Sequence, residues 1–163
     1  MSVLWIVLAL VAVQRLIELA YARANMLRLL QRGGIEAGAS HYPLFVMLHA
    51  AWLLSMALFI SPATPPNWWL LGIFAVLQAL RVWIVASLGA HWTTRVIVLP
   101  GVPLVRRGPY RFLRHPNYLV VCAEIAILPL AFGAVTLALV FSLLNAALLS
   151  WRVGIEDHFL SRR

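Results

Sequence analysis

Hydrophobic positions fall in long uninterrupted blocks, without the helical spacing of an amphipathic soluble fold. Residues 3–22 open with eleven apolar positions and then admit Gln14, Arg15 and Glu18. Residues 42–60 carry no formal charge, residues 68–89 carry only Arg81, and residues 118–151 carry only Glu124. A helix crosses the hydrocarbon core of a bilayer with roughly 20 mostly apolar residues, so the first three blocks each predict one span. The fourth would make a helix of about 50 Å at ~1.5 Å per residue, too long for a core of about 30 Å. Phe132-Gly133, just after Pro129, is a natural break and divides it into 118–132 and 134–151, a tight hairpin. The pattern predicts an all-α integral membrane protein: one domain, 1–163, with five transmembrane helices. Segment 91–118 and a C-terminal helix over 152–163 lie outside the spans.

Composition supports this and removes other classes. Of 163 residues, 63% are hydrophobic and 11% charged, against about half and about a quarter in a soluble domain. With a mean hydropathy of +0.91, the chain is neither an ordinary soluble protein nor disordered. One cysteine excludes a disulfide framework. The start lacks a basic region and a clear cleavage site, so the first block reads as a span rather than a secretory leader.

The net charge of +8 suggests nucleic acid until its source is located. All 13 basic residues are Arg; the missing Lys has no physical explanation here. Eleven of them follow span 1 (Arg23, Arg28, Arg32), follow span 3 (Arg95, Arg106, Arg107, Arg111, Arg114) or close the chain (Arg152, Arg162, Arg163). The connections 61–67 and 132–133 carry none. That alternation is the positive-inside pattern. It predicts a multi-pass protein with an outer N-terminus and a cytoplasmic C-terminus. The expected partner is the bilayer, with no nucleic acid.

The chemistry concentrates in segment 91–118, HWTTRVIVLPGVPLVRRGPYRFLRHPNY. Pro100-Gly101 suits the centre of a type II turn, and its flanks, 96–99 and 102–105, predict a small hairpin that Pro103 weakens. Pro116 fits the first turn of helix 4. His115 can exchange a proton near neutral pH. Arg106, Arg107, Arg111 and Arg114 can hold anions, or can serve with Tyr110 and Tyr118 as interface anchors. Beyond span 5, Asn145, Arg152 and Glu156 are spaced by seven and four residues, on one face of a continuous helix. Antiparallel helices 4 and 5 would bring Arg152 towards Tyr118.

Within the spans, Arg15 and Glu18 read as an ion pair. Gln78 and Arg81 form a second polar pair, with Arg81 able to reach Glu18 or Glu124. Glu124 is either that buried partner or a wall of an acceptor site, and Asn145 an interhelical hydrogen-bonding residue. His49 reads as packing, Cys122 as core, and the Trp residues, Trp68, Trp69 and Trp92 among them, as interface belt. The five His make no i,i+3 or i,i+4 pair, so no helix-borne metal site is expected.

The run Gly108-Pro109-Tyr110-Arg111-Phe112-Leu113-Arg114-His115-Pro116-Asn117-Tyr118 resembles the signature of the isoprenylcysteine carboxyl methyltransferase family, bacterial branch. Arg152-Val153-Gly154-Ile155-Glu156-Asp157 resembles its closing Arg-x-x-x-Glu-Glu element, with Asp157 in place of the second Glu. The resemblance covers about residues 90–160. It implies an all-helical fold that binds S-adenosylmethionine at a cytoplasmic pocket. Gly108, Tyr110, Arg114, His115, Pro116, Tyr118 and Glu156 would bind the cofactor. Arg152 would sit near the methyl acceptor, with Glu124 and Asn145 as further acceptor contacts. Arg152 could orient a carboxylate, whereas a phenol or enol acceptor needs a base, which Glu156 or His115 could provide. Arg152 and Glu156 are thus the catalytic candidates. The implied reaction is O-methylation of an isoprenylcysteine-type carboxylate or a lipid phenol or pyrone hydroxyl. Sterol reductases share an Arg-His-Pro-x-Tyr ending that binds NADPH, so an NADPH-dependent lipid reductase is the alternative. A non-enzymatic membrane scaffold is the third reading.

Overall fold

The computed structural model describes residues 2–37, 42–103 and 105–160, with Ala37 and residues 155–160 described by backbone alone. Five α-helices follow one another: α1 (Val3–Gln31), α2 (Tyr42–Phe59), α3 (Trp68–Leu88), α4 (Pro116–Ala131) and α5 (Val135–Leu160). Two short strands, β1 (Ile35–Ala37) and β2 (Val96–Val98), and 3-10 turns at Gly89–His91 and Gly108–Arg111 lie between them. α1, α2, α3 and α5 are long and apolar enough to cross a membrane. α4 has 16 residues, about 24 Å at ~1.5 Å per residue, short of the ~30 Å core. Its length is limited by Pro116, which opens it, and by Pro129 and Gly133 (φ +72°), which close it.

Several boundaries differ from the hydropathy reading. α1 runs nine residues past position 22, because the charged turn that leaves the apolar block is still made of strong helix formers. It stops at Gly33 (φ +85°) and Gly34, whose N–H groups return to the carbonyls of Leu30 and Leu29. The Pro100-Gly101 turn forms as expected, with Gly101 at φ +75° and the Val102 N–H on the Leu99 carbonyl. The expected hairpin between 96–99 and 102–105 is not present among the described residues. Instead β2 pairs antiparallel with β1, Ile35 opposite Val98 and Ala37 opposite Val96. Pro103 cannot donate to a ladder, whereas the turn after α1 presents an extended segment level with β2. The helix break at Phe132-Gly133 is present, and α5 continues through position 160.

The helix ends converge accordingly. The C-terminal ends of α1 and α3 meet through the β1–β2 pair. The start of α3 meets the end of α4 through an Asn67 N–H···O=C Ala131 bond of 2.7 Å. Two apolar clusters fill the interior. One, near the uncharged end, includes Leu4, Leu8, Trp52, Met56, Ile125 and Leu128; the other, near the arginine-rich end, comprises Ala22, Ile84, Trp92 and Val120.

Between the clusters lie four charges, Glu18, Arg81 and Glu124 buried and Arg15 half-buried. Glu18 accepts from Arg81 Nε (2.7 Å) and Nη2 (2.7 Å), from Arg15 (3.3 Å) and from Gln14 (3.1 Å). Glu124 accepts from Arg15 (2.5 Å), Arg81 (3.1 Å) and Gln78 (2.9 Å). Arg81 therefore takes both of its candidate partners. Two cations and two carboxylates cancel, and their hydrogen bonds offset the cost of holding charge inside a membrane bundle. Nearer the arginine-rich end, Asn25 is fully buried and donates to the carbonyls of Gly89 and Trp92 (3.1 and 3.0 Å), clamping α1 to the turn after α3.

Three aromatic or thiol assignments sort out. Trp68 and Trp69 are exposed, as belt residues should be, but Trp92 is 4% exposed and belongs to the core. Cys122, expected in the core, lies on the exposed side of α4 and accepts from Asn145 at 3.4 Å. His49 bonds the Phe45 carbonyl at 2.8 Å and meets Trp52 edge-on, a packing role.

Candidate active site

The arginine-rich end holds a cavity of about 610 Å³, walled by the end of α1, the segment after α3, the start of α4 and α5. Its size is in the range of small-molecule sites. α4 is the short helix, so its start at Pro116 is sunk among longer neighbours, and the cavity occupies that depression.

At the mouth of α4, His115 caps the helix and Pro116 takes the first helical position. Three residues apart, His115 and Tyr118 share a helix face, and their rings stack with centroids 4.9 Å apart and planes 4° apart. Arg152 reaches across from α5: Nε donates to the Tyr118 hydroxyl and Nη1 to the Thr94 carbonyl, each at 2.9 Å. Its guanidinium also lies over the rings of Phe45 (5.3 Å) and Tyr118 (5.6 Å). One cation thus ties together α2, the β2 approach, α4 and α5.

The 3-10 turn that carries Tyr110 docks on the last turn of α3. Arg107 Nε donates to the Ser87 carbonyl at 2.6 Å, and Gly108 packs on Ser87 with φ +56°. A Cβ there would collide with Ser87 Oγ and approach Trp83, in a backbone region that L residues rarely adopt. Gly108→Ala should therefore undock this wall. The expected result is a thermal midpoint lowered by several degrees and weaker ligand binding, with partial recovery in Gly108→Ala/Ser87→Gly.

Tyr110, Arg114, His115, Tyr118 and Arg152 line the cavity together. Gly108 and Pro116 shape its walls from behind. Glu124 (1% exposed) and Asn145 are buried deeper in the bundle and do not line it. The Glu156 and Asp157 side chains lie outside the described residues.

The cavity also includes residues that sequence reasoning had not assigned to a site. Trp92, Thr93 and Arg95 contribute, as does Asn117 within the motif. The Trp92 Nε1 and Asn117 Oδ1 atoms are buried without a hydrogen-bond partner among the described residues. Arg95 is anchored by Glu36 (2.8 Å) and covers the Tyr42 ring at 4.5 Å. The signal for Glu36 and Asn25 was present only as isolated polar residues near span 1. Five arginines (95, 106, 111, 114 and 152) line the cavity, and no carboxylate does so among the described residues. Its potential is strongly positive, suited to carboxylate or phosphate groups.

Fold and site together define a multi-pass helical membrane protein with a cationic, aromatic-walled cavity at one end. The chain belongs to the isoprenylcysteine carboxyl methyltransferase (ICMT) family, whose sequence profile matches residues 70–162. The match contains the α4 mouth, Arg152 and the whole connection between α3 and α4. A Bacillus subtilis (strain 168) protein, YpbQ, described only as uncharacterised, is 43% identical over 161 residues, covering 96% of this chain and 95% of that protein. No solved structure matches. The family makes this a membrane methyltransferase.

Proposed function

We propose that the protein is an S-adenosylmethionine-dependent O-methyltransferase acting on a lipophilic acceptor at the cytoplasmic face of a bacterial plasma membrane. The observation that carries this reading is the His115–Tyr118–Arg152 assembly opening on the 610 Å³ cavity within the family-matched segment. The residues present fit the cofactor. Arg114 on the wall complements its carboxylate, the stacked His115 and Tyr118 rings offer π faces to its sulfonium, and the unpaired Trp92 and Asn117 atoms supply a donor and an acceptor for its polar groups. When bound, the cofactor supplies an electrophilic methyl group.

The protein's own contribution is placement. Tyr110, Arg114, His115 and Tyr118 hold the cofactor, with Gly108 and Pro116 fixing the backbone behind them. Glu156 continues the α5 stripe beyond Arg152 and is assigned to the cofactor or to proton removal. Arg152 is assigned to the acceptor oxygen. Held by Tyr118 and Thr94 through Nε and Nη1, it keeps Nη2 for an acceptor carboxylate or phenolate. Orienting the oxygen in line with the methyl group and excluding water supply much of the acceleration in such a displacement. Asn145 and Glu124 act below, through α5 and α4. The acceptor is an isoprenylcysteine-type carboxylate or a lipid phenol or pyrone hydroxyl. The NADPH-dependent reductase reading draws no support from a match that falls in a methyltransferase family.

Calorimetry on the detergent-purified protein tests the cofactor assignment. Saturable binding of S-adenosylmethionine is expected, weakened about tenfold or more in His115→Ala and in Tyr118→Ala. Wild-type affinity in both variants would overturn the site assignment, and no binding to the wild type would overturn the function.

A further inference from the structure

The connection between α3 and α4 has features that cofactor binding does not use. Phe112 is 80% exposed and Leu113 46% exposed, between Arg111 and Arg114. Two observations set their depth. α4 is too short to reach from the uncharged interface, where its end bonds Asn67 beside Trp68 and Trp69, to the opposite headgroups. In addition, Gly108 and Arg107 pack on Ser87, inside the last turn of the spanning helix α3. The segment that follows is therefore level with the membrane boundary, not raised above it in water.

Charge identifies what meets it. Arg23, Arg28, Arg32, Arg106, Arg107, Arg111 and Arg114 are all exposed at this end. Of the three acidic side chains among the described residues, Glu18 and Glu124 are paired with Arg15 and Arg81, and Glu36 with Arg95. Arg106 and Arg111 form no ion pair among the described residues. Their long stems can lie on apolar surface while their heads reach phosphates.

We propose that residues 106–113 form a seat for anionic phospholipid: Arg106 and Arg111 hold headgroup phosphates while Phe112 and Leu113 enter the acyl boundary. Arg106, Arg111, Phe112 and Leu113 also border the cavity, so an anionic leaflet on the seat lies against its rim. This inference does not depend on the methyl-transfer reading.

The test uses the full chain in nanodiscs of phosphatidylcholine with and without phosphatidylglycerol. Each basic residue near an anionic surface is worth roughly fivefold in binding. Native mass spectrometry should show phosphatidylglycerol retained over phosphatidylcholine, with that preference about 25-fold lower in Arg106→Gln/Arg111→Gln. A nitroxide on Phe112→Cys, in a Cys122→Ala background, should be accessible to oxygen and shielded from a water-soluble nickel chelate. Equal retention of the two lipids by the wild type, or a nitroxide exposed to the chelate, would overturn the proposal. So would retention of a soluble acidic peptide in place of lipid.

Discussion

Glu124→Leu should lower the thermal midpoint by many degrees, whereas Glu124→Gln combined with Arg15→Gln should recover most of the loss. In the native bundle Arg81, Glu18 and Glu124 are buried, Arg15 is half-buried beside them, and the four are mutually neutral. Removing one carboxylate leaves two guanidinium groups facing Glu18 alone. Breaking a buried pair from one side costs about 3–5 kcal/mol, a large part of a total stability of about 5–15 kcal/mol. The double substitution removes one charge of each sign and keeps amides that can hydrogen-bond. Thermal unfolding in detergent should show a drop of many degrees for Glu124→Leu and a much smaller one for the pair. If Glu124→Leu unfolds like the wild type but loses turnover, Glu124 belongs to the acceptor wall instead.

The second large effect is expected at Arg152. Arg152→Ala should reduce turnover about 10²–10³-fold, the usual consequence of losing a preorganised charge that faces the reacting oxygen. Cofactor affinity should change by less than tenfold. Arg152→Lys should not rescue, because an ammonium cannot donate to Tyr118 and Thr94 in a fixed fork and still face the acceptor. Single-turnover methyl transfer alongside calorimetric titration separates the two effects. Loss of cofactor affinity with turnover per bound cofactor intact would move Arg152 to the cofactor.

Much of this architecture was legible in the sequence because membrane burial writes itself as block hydrophobicity. The helix positions and the break at Phe132-Gly133 follow from residue type and length. The arginine distribution marked the end of the bundle where the cavity lies. The local motif was readable in part: Pro116 starts α4 as expected, whereas the stacking of His115 on Tyr118 is seen only in the structure. Contacts between distant segments were not. Nothing local to Ile35–Ala37 says that it pairs with Val96–Val98, since the pairing depends on two helices ending at the same level. Arg81 offered two plausible partners on separate helices, and only the packed bundle shows that it binds both. Trp92 has a belt residue's composition signal but is drawn into the core by its place directly after α3. Asn25 looks like an ordinary polar residue in an interfacial turn until the carbonyls of Gly89 and Trp92 are seen to lie against it.

The most direct test of methyl transfer at this cavity is mass spectrometry of bacterial membrane lipids incubated with the purified protein and S-adenosylmethionine carrying a trideuteriomethyl group. The expected result is a lipid product bearing that group on oxygen, formed by the wild type and lost in Arg152→Ala. Absence of any labelled lipid from a folded, cofactor-binding protein, or equal labelling by the Arg152→Ala variant, would contradict it.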